Sequence, residues 1–166
     1  MSNLKVIAVC GVKNSGKTTL IEKLLKELTK RQIKTAVIKH DGHDFCGDVQ
    51  GTDSWRFSQA GAYGIGVYSS QRMLIHKEKK DVNVEIMSEM FPEAELILLE
   101  GGKESCYPKI EVVRQGISTT PVSNPEGRFL LVTDYPLEQF SEVSLGFDEI
   151  EQIVEEILKV LVLQKA

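Results

Sequence analysis

The sequence predicts an α/β fold, a mostly parallel sheet flanked by helices with one β-hairpin excursion. Three observations carry this. Short apolar runs rich in β-branched residues recur along the chain, as strands buried on both faces require. Amphipathic segments of helical period lie between and after them. A glycine-bearing turn joins the first strand directly to the first helix.

Residues 4–10 (LKVIAVC) form the first buried strand. Leu20, Ile21, Leu24, Leu25 and Leu28 then recur on one helical face, and Lys30 and Arg31 suit the negative end of that helix. A second strand at 35–40 completes a βαβ unit. Residues 41–51 are polar and show neither period, after which Thr52 or Asp53 caps a short helix through residue 60. The runs 64–69 and 72–77, joined around Ser70 and Gln71, predict an antiparallel hairpin. A short helix at 82–90 ends at Pro92, and the apolar strand 96–99 runs into Glu100, Gly101 and Gly102. Residues 109–114 alternate apolar and polar, which predicts a half-exposed strand. Residues 115–128 read as a loop and 129–133 as a buried strand. Ile150, Ile153, Val154, Ile157, Leu158 and Leu161 form the stripe of a last helix, with acids in its first turn and Lys159 and Lys165 near its end. With no repeat or linker in view, residues 1–166 are expected to form a single domain, the hairpin excursion lying at about 64–77.

Residues 11–18 read G-x-x-x-x-G-K-T, the P-loop pattern, between a strand and a helix as its chemistry demands. The expected fold is therefore that of a P-loop NTPase. Gly11 and Gly16 permit the tight turn that aims successive N–H groups at phosphate oxygens, and the helix adds its positive end. Lys17 reaches the β and γ phosphates, and the Thr18 hydroxyl is placed to ligate Mg²⁺. Lys13 is either a further positive group or a solvated loop lysine. Such a site also needs a carboxylate at the end of a buried strand. Glu100 and Asp134 both qualify, and the two glycines behind Glu100, which leave it open to ligand, favour it. Asp134 suits a base contact or a plain turn before Pro136, and the N-K-x-D tetrapeptide that reads guanine in many GTPases is absent.

Other polar clusters keep more than one reading. The segment 39–46 is a switch-like loop with Lys39 and His40 beside the P-loop, a plain polar loop, or a metal site built from His40, His43 and Cys46 with Cys106. Asp53 and Arg56 are either an acid near Mg²⁺ and a phosphate-facing arginine, or a helix-start acid and a solvated arginine. Lys103, Lys109 and Arg114 form a basic rim for an anionic ligand or merely solvate a strand edge. His76 reads as a surface residue and Cys10 as core.

Composition removes several function classes. Lys and Arg number 20 against 24 Asp and Glu, for a net charge of -4, which argues against a general nucleic-acid or anionic-membrane binder. Three scattered cysteines do not make a disulfide framework. No signal peptide is recognisable, and no run approaches the roughly 18 apolar residues of a membrane span. A cytoplasmic protein without nucleic-acid or membrane partners is expected.

Several motifs in order resemble the molybdopterin-guanine dinucleotide biosynthesis adaptor proteins, the MobB family. They are the P-loop with Thr19 and Leu20, Ile38-Lys39-His40 with His43, Asp53-Ser54-x-Arg56 with Ala60-Gly61-Ala62, Leu99-Glu100-Gly101, and Lys103 with Pro108-Lys109-Ile110-Glu111. One departure is Gly102, where many members carry an aromatic residue. The resemblance implies a GTP-binding homodimer with weak GTPase activity, whose extended hairpin takes part in the dimer. It would assist the MobA-type molybdopterin guanylyltransferase that joins GMP to molybdopterin, making molybdopterin guanine dinucleotide for the molybdenum cofactor. Carried over by position, Gly11, Val12, Lys13, Asn14, Ser15, Gly16, Lys17, Thr18 and Thr19 would bind the phosphates of GTP. Lys17, Glu100 and Asp53 would serve hydrolysis, with Thr18 and, through water, Glu100 at Mg²⁺. Lys39, His40 and the segment 103–114 would line the cleft or a cofactor-facing surface.

Hydrolysis is expected to be slow, because no water-positioning Gln or cis arginine stands out. Competing expectations are a metal-insertion GTPase using His40, His43 and Cys46, a P-loop small-molecule kinase, and a nucleotide-gated binding module.

Overall fold

The computed structural model describes residues 5–41 and 47–163. Leu4 of the expected first strand, His43 and Cys46 of the polar segment, and Lys165 lie outside the described residues. The chain groups into two compact units, residues 1–40 with 84–166, and residues 41–83.

The larger unit is an α/β layer structure. Its strands are β1 (Val6–Cys10), β2 (Thr35–Lys39), β5 (Leu96–Glu100), β6 (Lys109–Val113), β7 (Arg128–Thr133) and β8 (Ser144–Leu145), and its helices are α1 (Lys17–Lys30), α3 (Val84–Ser88) and α4 (Ile150–Leu163). The strands form one sheet in the order β2-β5-β1-β6-β7-β8, with every neighbouring pair parallel. This is the mostly parallel, helix-flanked sheet that the strand pattern predicts. Alternate residues of each strand point to opposite faces. Ile7, Val9, Leu98, Ile110, Val112 and Leu130 meet the buried stripes of α1 and α4, while Ala8, Cys10, Ile38 and Leu99 meet Val84 and Met87 of α3. The stripe expected for α4 is the one that is buried, and each fully buried Leu or Ile contributes about 1.5–3 kcal/mol.

The smaller unit holds α2 (Asp53–Gln59) and the antiparallel hairpin of β3 (Gly64–Tyr68) and β4 (Met73–Lys77). Thr52 is the N-cap of α2, its hydroxyl accepting from the Trp55 N–H at 3.3 Å.

One expected element is corrected. β6 is not half-exposed: all five of its residues are buried, including Lys109 at 0% and Glu111 at 1% exposure. β6 lies between β1 and β7, and the segment 115–128 closes over its second face. There Glu111 accepts from the Ser123 N–H at 3.0 Å, the Ser123 hydroxyl at 2.6 Å, the Val122 N–H at 2.5 Å and Arg128 Nη1 at 3.3 Å. Lys109 Nζ donates to the carbonyls of Ser105 at 2.6 Å and Glu126 at 2.5 Å. Buried charges persist only when paired and hydrogen-bonded in this way. The alternation is real, but its polar half faces an internal network rather than water.

Two short elements carry no sequence period. A 3₁₀ turn at Leu137–Gln139 leads to β8, which adds to β7 in register Leu131 with Ser144 and Val132 with Leu145. No helix among the described residues is long and apolar enough to cross a membrane.

Candidate functional site

Because all six strands run parallel, their carboxyl ends share one edge of the sheet. The residues that follow β1, β2, β5, β6 and β7 are Gly11, His40, Gly101, Arg114 and Asp134. The strand order changes direction at β1, with β5 and β2 on one side and β6 and β7 on the other, the place at which such sheets bind ligands.

Residues 11–18 form a compact turn between β1 and α1. Gly11 has φ 138°, and a Cβ there would lie 2.7 Å from the Val112 carbonyl oxygen. Gly16 has φ 100° and is the N-cap of α1, where a Cβ would lie 2.7 Å from Arg114 Nη1. Only glycine fits at either place without displacement. Asn14 also has positive φ, 63°. The first bond of the helix ladder runs from the Leu20 N–H to the Gly16 carbonyl at 2.9 Å, so the N–H groups of Lys17, Thr18 and Thr19 lie outside it. Lys17 Nζ folds over the loop and donates to the carbonyls of Val12 at 2.7 Å and Gly11 at 3.1 Å. Lys13, Asn14, Thr18 and Thr19 are exposed.

Glu100 is the strand-end acid that reaches this loop. The Thr18 hydroxyl donates to its two carboxylate oxygens, at 3.2 and 3.4 Å. Lys39 is in register with Glu100 on the neighbouring strand, so both point to the α1 face. The His40 N–H donates to the Glu100 carbonyl at 3.2 Å, which sets His40 beside Gly101. The Cys10 thiol donates to the Gly101 carbonyl at 3.0 Å, and burial pushes its pKa up to about 11. Cys10 is thus a neutral packing and tethering group at neutral pH.

Asp134 has a different environment. Its carboxylate accepts from the Gln115 N–H at 2.7 Å and lies 3.7 Å from Arg114 Nε. The three cations of the expected basic rim are dispersed. Lys109 is buried, Lys103 is exposed with Glu104 at 3.8 Å, and Arg114 packs against the P-loop.

The family model described as Molybdopterin guanine dinucleotide synthesis protein B (MobB) matches residues 6–134. The chain belongs to the MobB family. It is 34% identical over 157 residues to the molybdopterin-guanine dinucleotide biosynthesis adapter protein of Haemophilus influenzae, covering 93% of this chain and 88% of that one. It is 30% identical over 150 residues to the Escherichia coli protein of the same name, covering 87% and 82%. Among solved structures, the molybdopterin-guanine biosynthesis protein B (mobB) superposes with TM-score 0.72 at 22% identity, over 93% of this chain and 99% of that one. Bacillus subtilis MobB gives TM-score 0.69 at 20% identity, over 92% and 97%. These two share the fold.

Within this MobB family chain, Lys109 and Glu111 of the Pro-Lys-Ile-Glu motif belong to the buried network, so they do not line a cleft as the resemblance implied. Asp53 and Arg56 lie in the smaller unit, exposed and 3.8 Å apart on the first turn of α2. His76 is half-buried on β4, paired with Ile65 of β3. No group of three or more His, Cys, Asp or Glu among the described residues is arranged to hold a metal ion.

The residues of the loop fit a nucleotide phosphate with Mg²⁺. The Ser15 hydroxyl is fully buried without a partner among the described residues, a group that a polar ligand or water would satisfy. The Thr18 hydroxyl and Glu100 carboxylate offer the hard oxygen donors that Mg²⁺ takes alongside phosphate and water. The sequence places Arg114 on a basic rim or a cleft-facing segment but not against Gly16 of the P-loop. The available signal was that it follows the strand beside β1, at the same edge as the P-loop.

Proposed function

We propose that this MobB family protein is a GTP-binding adapter with weak GTPase activity that assists the guanylyltransferase joining GMP to molybdopterin. One observation carries the nucleotide part: Thr18 and Glu100 meet immediately after Lys17, at the mouth of a loop that only glycines at 11 and 16 allow. The adapter part is supported by the names of the relatives. In this reading the N–H groups of residues 11–19 and the Lys17 ammonium bind the phosphates, and Thr18 and, through water, Glu100 would hold Mg²⁺, which would supply neutralisation of phosphate charge. Lys39 and His40 stand at the same edge as Glu100. For Asp53 a role near Mg²⁺ rests on the resemblance alone.

Calorimetry with Mg²⁺ and GTP, GDP or ATP tests the nucleotide part. Guanine nucleotides are expected to bind at least about tenfold tighter than ATP, a difference of about 1.4 kcal/mol. A preference for ATP would overturn it. The adapter part predicts that the tagged protein retains a molybdopterin guanylyltransferase from extract; its absence from the retained fraction counts against that part alone.

The homodimer belongs to the same proposal. Tyr68, Met73 and Ile75 share one face of the hairpin and are 87%, 75% and 64% exposed, an apolar surface of the kind that associates. Light scattering should give twice the chain mass for the wild type and the single chain mass for a Met73→Glu/Ile75→Glu variant. A monomeric wild type at tens of micromolar would refute it.

A further inference from the structure

Arg114 leaves the end of β6 and lays its guanidinium against the P-loop. Nη1 is 2.7 Å from where a Cβ on Gly16 would stand, so the head group rests on the glycine that opens α1. The guanidinium carbon stands over the Phe147 ring, 4.6 Å from its centroid, a cation–π contact. Phe147 is itself tied to α1, because Lys23 Nζ donates to its carbonyl at 3.3 Å and pairs with Asp148 at 2.8 Å. The head group is therefore positioned from three sides: the strand beside β1, the P-loop glycine, and an aromatic ring anchored to the P-loop helix.

Its hydrogen-bonding capacity is nonetheless unspent. Among the described residues no acceptor takes a hydrogen bond from the guanidinium, and its counter-ion Asp134 stands at 3.7 Å, beyond hydrogen-bond reach. A guanidinium carries five N–H donors in a fork matched to phosphate. The side chain is 42% exposed, so it is open to a ligand from solvent. In the P-loop, next in sequence to Gly16, the buried Ser15 hydroxyl also has no partner among the described residues.

We propose that Arg114 is a phosphate ligand of the bound nucleotide, a cation supplied in cis that the strand order delivers to the P-loop. The proposal rests on the nucleotide reading above and goes beyond it in naming a residue outside the P-loop motif. Phe147 serves as its positioning residue, holding the guanidinium in place. Asp134 is its resting counter-ion, which a phosphate replaces.

The test is calorimetric binding of GDP and of inorganic pyrophosphate, each with Mg²⁺, to the wild type, Arg114→Ala, Arg114→Lys and Lys17→Ala. Arg114→Ala is expected to weaken both probes by about 10- to 100-fold, the range for a hydrogen bond to a charged group, while the melting temperature stays within a few degrees. Arg114→Lys keeps the charge but not the fork and should lose several-fold. If Arg114→Ala binds both probes within about twofold of the wild type while Lys17→Ala does not bind, the proposal falls and the P-loop reading stands. A loss for GDP with pyrophosphate unchanged would assign Arg114 to the nucleoside end and overturn the phosphate assignment. Unchanged binding by Lys17→Ala would overturn the nucleotide reading itself. Should Arg114→Ala fail to fold, Arg114→Lys decides: a several-fold loss supports the proposal and wild-type affinity overturns it.

Discussion

Replacing Glu111 with alanine is expected to cost about 3–5 kcal/mol of folding stability, the range for breaking a buried ion pair from one side. Glu111 is 1% exposed and is the shared acceptor for the Ser123 N–H, the Ser123 hydroxyl, the Val122 N–H and Arg128 Nη1. Arg128, only 10% exposed, keeps Glu142 at 2.8 Å and the Ser123 carbonyl at 2.7 Å, but loses its innermost counter-charge. Two backbone donors would be left buried or forced to open the 115–128 segment to water, each at about 1–3 kcal/mol. Glu111→Gln keeps an acceptor oxygen and should cost less than Glu111→Ala. Urea denaturation followed by circular dichroism reads the effect, and a fall of roughly 6–20 °C in Tm should accompany it. A wild-type midpoint for Glu111→Ala would show that the network is solvated rather than buried. The same side chain, taken as cleft-lining, would instead alter ligand affinity and leave stability unchanged.

Lys17→Ala is expected to lower nucleotide affinity by at least about 100-fold while the chain stays folded, since more than one charge-assisted hydrogen bond is removed. The ammonium already bridges the Gly11 and Val12 carbonyls, so it stands within the loop rather than in bulk solvent. It is only partly buried and has no part in the core, which is why folding should survive its loss. Calorimetry with GTP and Mg²⁺, paired with a thermal melt, separates the two effects. Wild-type affinity would refute the P-loop assignment, whereas a collapsed melting temperature would show that Lys17 closes the loop structurally.

These two residues mark what could be read in advance. Lys17 sits in a contiguous motif whose geometry is local: a strand, a turn that demands glycine, and a helix whose apolar stripe follows at once. The stripe of α4 and the hairpin were legible for the same reason, because period and turn chemistry operate over a few residues. Glu111 was not. An alternating Lys-Ile-Glu-Val run reads as a strand with one wet face, and only its place between β1 and β7 removes the water. In an all-parallel sheet both faces are covered, so a charge on a central strand must find partners, but those partners lie 11 to 17 residues away, in a loop without period and at the first residue of β7. β8 was missed because two residues carry no pattern.

Sequence alone determined the P-loop turn, its glycines and lysine, the strands and helices on either side, and the ordered motifs of the MobB family. Tertiary structure alone decided which strand-end acid meets Thr18, that Lys109 and Glu111 turn inward, and that Arg114 lies on Gly16. The physical reason is range. Backbone turns and amphipathic periods are set by neighbours along the chain, whereas the pairing of β1 with β5 and β6 brings Glu100 and Arg114 to the P-loop from 82 and 98 residues beyond Thr18 and Gly16.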